Sequence, residues 1–197
     1  SIQQVVQKVV SCFIDIPDIP DTPEVEEIRG TLLNKSSNNA QIPVVYGERL
    51  LGGTRVFLQT SGTDNTYLYV ALVLCEGEIN AITQIKVNDS AVTFSGSFAH
   101  NTEITSNDSK YGTTIKAQPF FGTDDQPASS TLSTLSNWSS NHKLSGICYV
   151  AFRFQWDSDK YTGIPNIKVK VQGKKISTFD GSSNETTGQY STNPAFV

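Results

Sequence analysis

The chain has 197 residues, and 37% of them are hydrophobic, which is enough to bury a core without disulfide or metal support. Its 19 acidic residues outnumber its 15 Lys and Arg residues, and the basic side chains are scattered, so we expect no nucleic-acid recognition. No segment reaches the roughly 20 consecutive apolar residues needed to cross a bilayer, so we also expect no membrane span.

The first residues carry apolar side chains at the spacing of one helical face. Val5, Val6, Val9 and Phe13 share that face, and glutamines fall elsewhere. The spacing predicts an amphipathic helix that packs either on its own domain or on a neighbouring subunit, so these four residues are a possible interface. The stretch IPDIPDTP at 16–23 predicts an extended arm, because repeated proline cannot continue a helix.

The stretch IPVVYGERLLGG at 42–53 changes from apolar to charged and back to apolar, and it ends on two glycines. It predicts a short strand, a turn at Gly47 and a second reversal at Gly52 and Gly53. We interpret it as a hairpin-like structural joint into a sheet, with a ligand site as the less favoured alternative.

From residue 42 onward the sequence alternates in the manner of β-strands separated by Gly, Asn, Asp and Ser. TYLYVALVLC at 66–75 is apolar on both faces, which predicts a central strand. EINAITQIKVND at 78–89 predicts a strand that ends in an Asn-Asp turn. SGICYVAFRFQW at 145–156 alternates cleanly, and IPNIKVKVQGKK at 164–175 predicts a half-exposed strand.

The part of the chain between 96 and 144 is rich in Ser, Thr, Asn and Gly. We interpret it as a polar insertion on the surface of the sheet structure, with a short helix near LSTLSNWSSNH. Its aromatic residues are the candidates for a shallow carbohydrate site, with packing of Trp138 onto the sheet as the alternative: Tyr111, Phe120, Phe121 and Trp138.

The residues that usually carry chemistry form no recognisable pattern. The cysteines at 12, 75 and 148 have no Cys-x-x-Cys spacing, so we expect buried reduced thiols. His100 and His142 lie in separate polar stretches, which argues against a metal site or a Ser-His-Asp site, and no phosphate-binding glycine loop is present. We therefore expect no cofactor, no metal and no enzymatic activity.

Several motifs in order resemble one known family. The stretches NKSSNNAQIPVVYGERLLGGTRVF, TSGTDNTYLYVALVLCEGEI, LSGICYVAFRF, GIPNIKVKVQGKKI and YSTNPAFV are similar to the N-terminal part of tail hub or tip-attachment proteins of tailed bacteriophages, the host-specificity protein J family. Glu48 and Leu50 depart from the family, where basic residues are frequent. The resemblance assigns structural roles to the following residues: Pro43, Tyr46, Gly47, Gly52, Gly53, Glu76, Gly77, Gly163, Pro165 and Gly173.

The resemblance implies a mainly β hub domain of barrel or sandwich type, assembled as a homotrimer at the distal end of the tail tube. Its implied partners are the tail tube or distal tail protein, the tape-measure protein, and other tip or fibre proteins. The implied location is the virion, after assembly in the host cytoplasm. The half-exposed strand at 166–172 is a candidate for the tube contact.

The resulting organisation has four parts. Residues 1–41 form the N-terminal helix and arm, 42–95 the first part of the β hub domain, 96–144 the inserted region, and 145–197 the remainder of that domain. We expect the natural polypeptide to continue beyond 197.

Two other functions stay open at this point. The first is a carbohydrate- or receptor-binding β module of the phage tail, which would use the exposed aromatic residues of the insertion. The second is a glycan-cleaving enzyme, which would need two carboxylates about 5 to 10 Å apart in a cleft. Its candidate carboxylates are Asp124, Asp125, Asp157 and Asp159.

Overall fold

The computed structural model describes residues 41–179 and 185–192. The predicted N-terminal helix with Val5, Val6, Val9 and Phe13, and the proline-rich arm, lie outside the described residues. Apart from two single 3-10 turns at Thr63–Asn65 and Leu132–Thr134, the regular structure of the described part is all β.

The described strands, in chain order, are β1 (Glu48–Leu51), β2 (Thr54–Ser61), β3 (Tyr67–Glu76), β4 (Ile79–Val87), β5 (Ser90–Ala91), β6 (Ile104–Thr105), β7 (Ile115–Phe121), β8 (Ile147–Gln155), β9 (Ile167–Lys174), β10 (Ile176–Phe179) and β11 (Glu185–Gln189). They form a five-stranded sheet in the order β2-β3-β8-β7-β6, a four-stranded sheet in the order β1-β9-β4-β5, and the pair β10-β11. All strand pairs are antiparallel. The prediction of a mainly β domain is confirmed.

The two larger sheets share one hydrophobic core. Strand β3 contributes Val70, Leu72 and Leu74 to it, and the opposing sheet contributes Ile85 and Val169, all of them buried. Since neither sheet closes on itself in the described part of the chain, this arrangement is of the sandwich type rather than a closed barrel.

The side chains of the strands alternate between the two faces of the sheet as the sequence pattern predicts. In β3 the side chains of Tyr69, Ala71 and Val73 point away from the shared core into a second cluster, so the predicted central position of this strand is confirmed. Cys75 departs from the alternation and joins the shared core, because the pairing with β8 shifts register between Val73 and Cys75.

Strand β9 buries its isoleucine and valines and leaves its Lys and Gln side chains half-exposed, as predicted. After β4, the turn residues Asn88 and Asp89 both have positive φ, which confirms the turn expected there.

The predicted hairpin at 42–53 is wrong in its pairing. Strand β1 pairs with β9 and β2 pairs with β3, so Gly52 and Gly53 carry the chain from one sheet to the other. Gly53 has φ near +67°, which allows this abrupt change of direction.

The interpretation of residues 96–144 as a surface insertion missed β6 and β7. Strand β7 lies between β8 and β6 in the five-stranded sheet, and Ile115, Ala117 and Phe120 are fully buried. The part from 122 to 146, which we call the covering segment, lies on the surface of the five-stranded sheet. Its predicted short helix is the single 3-10 turn at Leu132–Thr134.

Candidate functional site

The residues singled out by the resemblance fall at two places in the fold. Most of them meet where the chain crosses between the sheets, beside the end of β3. There the Glu76 amide donates to the Pro43 carbonyl at 2.9 Å, and the Gly173 amide donates to the Gly47 carbonyl at 2.7 Å. A third bond joins the Gly77 amide to the Gly146 carbonyl at 2.7 Å. We call this region the glycine joint.

Close backbone approach explains one glycine of the joint. A Cβ atom on Gly173 would overlap the carbonyl oxygen of Val45, so β9 could not approach the 43–47 segment with any other residue there. Tyr46, another residue of the resemblance, lies beside this contact with its side chain 39% exposed. The joint is built from backbone contacts, which agrees with a structural role for it.

Gly163 and Pro165 lie elsewhere, in the wall of an apolar depression of about 220 Å³. We call this depression the trough. Its lining residues are Thr60, Asn65, Leu68, Phe154, Trp156, Tyr161, Gly163, Ile164 and Pro165.

The trough lies on the inner face of the five-stranded sheet, where the four-stranded sheet no longer covers it. Leu68 is opposite Phe154 in the β3–β8 ladder and opposite Thr60 in the β2–β3 ladder. Leu58 shares this face with its partner Val70 but is 46% exposed, whereas Val70 is fully buried. Apolar side chains are therefore left accessible along this end of the sandwich.

The trough was not predicted from the sequence. Trp156 continues the inward alternation of β8 beyond the end of the strand and is 52% exposed, and Ile164 is 55% exposed. The available signal was a large aromatic residue just after a buried strand, followed by Gly-Ile-Pro. Alternation places Trp156 on the same face as Phe154, but it gives only the direction of the side chain and not the extent of the opposing sheet.

Tyr161 supports one wall of the trough. Its ring stacks on Trp156 with centroids 6.2 Å apart and on Tyr111 at 5.6 Å, and its hydroxyl lies 2.8 Å from Thr114 Oγ1. Burial raises the pKa of Tyr161 to about 12, although the hydrogen bond with Thr114 acts in the opposite direction.

A salt bridge fixes the turn that precedes Tyr161. Lys160 Nζ is 2.6 Å from an Asp157 carboxylate oxygen, and this hydrogen bond holds the pKa of Asp157 below its usual value. The other Asp157 oxygen accepts from the Asp159 amide at 3.0 Å. The Asp157 carboxylate therefore stabilises the turn that leads to Tyr161 through contacts within the turn itself.

The aromatic site predicted in the insertion is wrong. Tyr111 and Phe120 are fully buried, and Trp138 is only 5% exposed. Phe120 stacks on Tyr149 with a centroid distance of 4.4 Å, and Trp138 packs edge-on against Phe57 at 5.2 Å. Phe120 and Trp138 cannot offer a face to a sugar because they pack in the cluster between the covering segment and the sheet, and Tyr111 is buried between the two sheets.

The candidate hydrolase carboxylates lie in two groups at opposite ends of β8. Asp124 lies beside Gly146, just before β8, and Asp157 follows the other end of that nine-residue strand. The strand separates them by roughly 30 Å at about 3.3 Å per residue, far beyond the spacing of a glycosidase pair. In the described part of the chain, no cluster of three or more His, Cys, Asp or Glu side chains has a geometry that could hold a metal ion.

The histidines and the described cysteines have structural surroundings. His100 Nδ1 accepts from the Phe121 amide at 3.1 Å, and His142 Nδ1 accepts from the Ser139 amide at 2.9 Å. Cys75 and Cys148 are buried cross-strand neighbours with free thiols, as predicted, and burial raises the pKa of Cys148. Cys12 lies outside the described residues.

None of the helical turns within 41–179 and 185–192 is long and apolar enough to cross a membrane.

Comparison with known proteins gives two informative likenesses. No family model matches the chain. The chain is 24% identical over 186 aligned residues to the baseplate hub protein pb3 of Escherichia phage T5, and the match covers 71% of this chain and 19% of that protein. In fold it is similar to a chain in the virion of a native gene transfer agent particle, with a TM-score of 0.53, 18% identity, and coverage of 72% of this chain and 28% of that one. The chain thus spans about a fifth of its curated relative, and its likeness to the virion chain is one of fold.

Proposed function

We propose that this chain is part of the central hub of a phage tail tip or baseplate, a structural virion protein that joins the tail tube to the distal tip and fibre components. The observation that carries the proposal is the sequence similarity to a phage baseplate hub protein over 71% of this chain. The likeness in fold to a chain of a gene transfer agent virion agrees with this proposal.

In this role the chain acts mechanically and without catalysis or a cofactor. Its partners are the tail tube or distal tail protein, the tape-measure protein and other tip or fibre proteins, and it reaches the virion after assembly in the host cytoplasm. On the motifs that carry the resemblance, we propose that the chain belongs to the host-specificity protein J family.

The hub is proposed to be a homotrimer, and strand β2 is the candidate contact. It is the eight-residue edge strand of the five-stranded sheet, with a strand neighbour on one side only among the described residues. Val56 on this strand is 51% exposed. Because a ring with cyclic symmetry joins two different surfaces of each subunit, a long apolar edge is a suitable half of such an interface.

Two measurements test the proposal. Light scattering of the 197-residue chain is expected to give three times its mass of 21.5 kDa. Val56→Asp should lower the measured mass, whereas Thr83→Asp, which adds the same charge to an exposed position of β4, should leave it unchanged. Immunogold labelling of particles is expected to place the chain on the tail axis at its distal end. Labelling of peripheral fibres alone would contradict the hub role.

A receptor- or carbohydrate-binding module of the tail is the second candidate, and the exposed Trp156 is the observation that favours it. The trough around it is short of free polar groups, because Thr60 Oγ1 donates to Asn65 Oδ1 at 2.8 Å and the Tyr161 hydroxyl pairs with Thr114. A sugar needs several such groups, so the hub role ranks first.

A further inference from the structure

Two of the three cysteines of the chain lie directly opposite each other in the interior of the five-stranded sheet. Cys75 of β3 is the ladder partner of Cys148 of β8, and both side chains are completely buried in the core that the two larger sheets share. Both thiols are free. Because both residues belong to the same core cluster, their thiol groups lie on the same face of the sheet.

An irregularity of strand β3 brings the two thiols to this common face. Strict alternation after Leu74 would turn Cys75 to the outer face together with Val73. The pairing of β3 with β8 instead shifts register between Val73 and Cys75, so β3 has one residue more than β8 at this point. The extra residue returns Cys75 to the inner face, opposite Cys148.

The spacing of opposed strand residues fits a covalent bond between the two sulfur atoms. Directly opposite residues of an antiparallel pair have Cα atoms about 4.5 to 5.5 Å apart, and a disulfide accepts Cα separations of about 4.4 to 6.8 Å. The pKa of Cys148 is raised by burial and by a hydrogen bond with the Cys75 thiol, as expected for two thiols that lie side by side. A disulfide therefore requires little movement of either strand.

The position of the pair near the strand ends gives an oxidant a route to it. Cys75 is the last residue but one of β3, and Cys148 is the second residue of β8. Strand ends open locally more often than strand centres. While the strands stay closed, the raised pKa of Cys148 keeps its thiol protonated and therefore unreactive. Oxidation is expected to be slow and to require an oxidising medium.

We propose that Cys75 and Cys148 form a modification site, at which a low-molecular-weight disulfide such as oxidised glutathione converts the two thiols into a cross-strand disulfide. In the first step, one cysteine thiolate attacks a sulfur atom of the oxidant, which forms a mixed disulfide and releases one thiolate. In the second step, the other cysteine thiolate attacks the protein sulfur of the mixed disulfide and releases the second thiolate. The protein loses two electrons and two protons, and the oxidant, which gains them, leaves as two thiols.

The disulfide stabilises the folded chain. It joins β3 to β8 beside the glycine joint and closes a loop of about 70 residues, so it acts chiefly by restricting the unfolded chain. Because the cytoplasm keeps thiols reduced whereas the medium outside a cell allows disulfides, the bond forms after release from the host. This timing rests on the proposed virion location, whereas the chemistry of the pair does not.

The test uses the 197-residue chain with Cys12→Ser, in which Cys75 and Cys148 are the remaining cysteines. The folded chain is incubated with an excess of oxidised glutathione, and its free thiols are then counted in urea with a chromogenic thiol reagent. We expect both thiols to disappear and the mass of the chain to fall by about 2 Da, because two hydrogen atoms are lost. The thermal midpoint should rise by at least about 5 °C, and dithiothreitol should reverse all three changes.

Cys75→Ala and Cys148→Ala, each combined with Cys12→Ser, keep one thiol and are the matched controls. After the same treatment each should carry at most one glutathione and show no rise in thermal midpoint. Two free thiols in the folded Cys12→Ser chain after the incubation would overturn the proposal. Two glutathione adducts, a disulfide between two chains on non-reducing electrophoresis, or a cross-link that lowers the midpoint would overturn it as well. The result does not depend on where the chain lies in a particle, so it is independent of the hub role.

Discussion

The two tryptophans lie on opposite faces of the five-stranded sheet, and the two faces differ in how much of the tryptophan ring is buried. On the outer face, the covering segment 122–146 buries Trp138 to 5% exposure. On the inner face, the trough leaves Trp156 at 52% exposure beyond the reach of the opposing sheet. The covering segment is mostly polar in sequence, yet its Trp138 is far better buried than Trp156, so the burial of Trp138 depends on how the segment is anchored rather than on local hydrophobicity.

Two buried glutamines provide that anchoring. The Gln118 side-chain oxygen accepts from Ser129 Oγ at 2.7 Å and from the Thr131 amide at 3.2 Å. Gln126 Nε2 donates to the carbonyls of Leu144 and Ile147. These bonds satisfy backbone groups of an irregular segment that has no ladder of its own, which lets it lie flat on the sheet.

The largest expected difference in stability is between the two variants that replace a tryptophan by alanine. Trp138→Ala should lower the free energy of unfolding by about 3 to 5 kcal/mol, because it empties the cluster under the covering segment. Trp156→Ala should lower it by no more than about 1 kcal/mol, since that ring is half exposed. Urea unfolding followed by circular dichroism measures both, and equal losses would mean that the two surfaces are equally buried in solution.

Gly122 in the covering segment and Gly163 in the trough wall test the same difference in packing between the two surfaces. Gly122 begins the covering segment at φ near +86°, and a Cβ there would overlap the Gly77 carbonyl oxygen and approach the Cys148 nitrogen to 2.9 Å. Gly122→Ala should therefore lower the free energy of unfolding by about 3 kcal/mol from overlap and backbone strain.

Gly163 in the trough wall is the matched control for Gly122, because a Cβ there meets no atom within 4 Å. Gly163→Ala should shift the thermal midpoint by little in either direction. A loss of stability in Gly163→Ala as large as in Gly122→Ala would refute the assignment of the strain to the covering segment.

The next largest loss of stability is expected from removing the hydrogen bonds of the buried Gln118. Gln118→Ala should lower the free energy of unfolding by about 2 kcal/mol, because the buried Ser129 hydroxyl and Thr131 amide lose their acceptor. Thr60→Ala removes an exposed hydrogen bond to Asn65 in the trough and should cost less than about 0.5 kcal/mol. Faster hydrogen exchange at residues 129–132 in Gln118→Ala, and not in Thr60→Ala, would identify the covering segment as the part that opens.

The smallest effect is a pH dependence of the trough wall. In the folded chain Tyr161 has a pKa of about 12, whereas an unfolded tyrosine has one near 10. As the pH rises from about 10 to about 12, the unfolded state loses this proton while the folded state keeps it, so stability falls in that window and is unaffected below it.

Urea midpoints measured at increasing pH above 9 check this prediction. Tyr161→Phe should show a shallower decline than the original protein. Some decline should remain because burial also raises the pKa of Tyr149, beneath the covering segment. An identical decline in Tyr161→Phe would show that the Tyr161 hydroxyl is not the group responsible.

Strand β7 shows why part of the fold could not be predicted. Its sequence IKAQPFF contains Pro119, and proline within a strand argues against a position inside a sheet. The Pro119 carbonyl accepts from the Asn101 amide at 2.7 Å, on the side of β6, and a residue's N–H and C=O groups point to the same side of an antiparallel strand. The missing N–H therefore faces a point beyond the end of β6, which spans only Ile104–Thr105, and the ladder with β8 is intact.

The sequence by itself determined the strands and their faces wherever side chains alternate, as in β3, β8 and β9, because direction along a strand is a local property with a period of two residues. It also determined the reduced, buried character of Cys75 and Cys148. Only the tertiary structure decided that Gly52 and Gly53 join two sheets, that Trp138 is covered and that Trp156 is open. Those outcomes depend on how far a segment distant in sequence extends over each face of the sheet. The alternation of side chains within one strand carries no information about that extent.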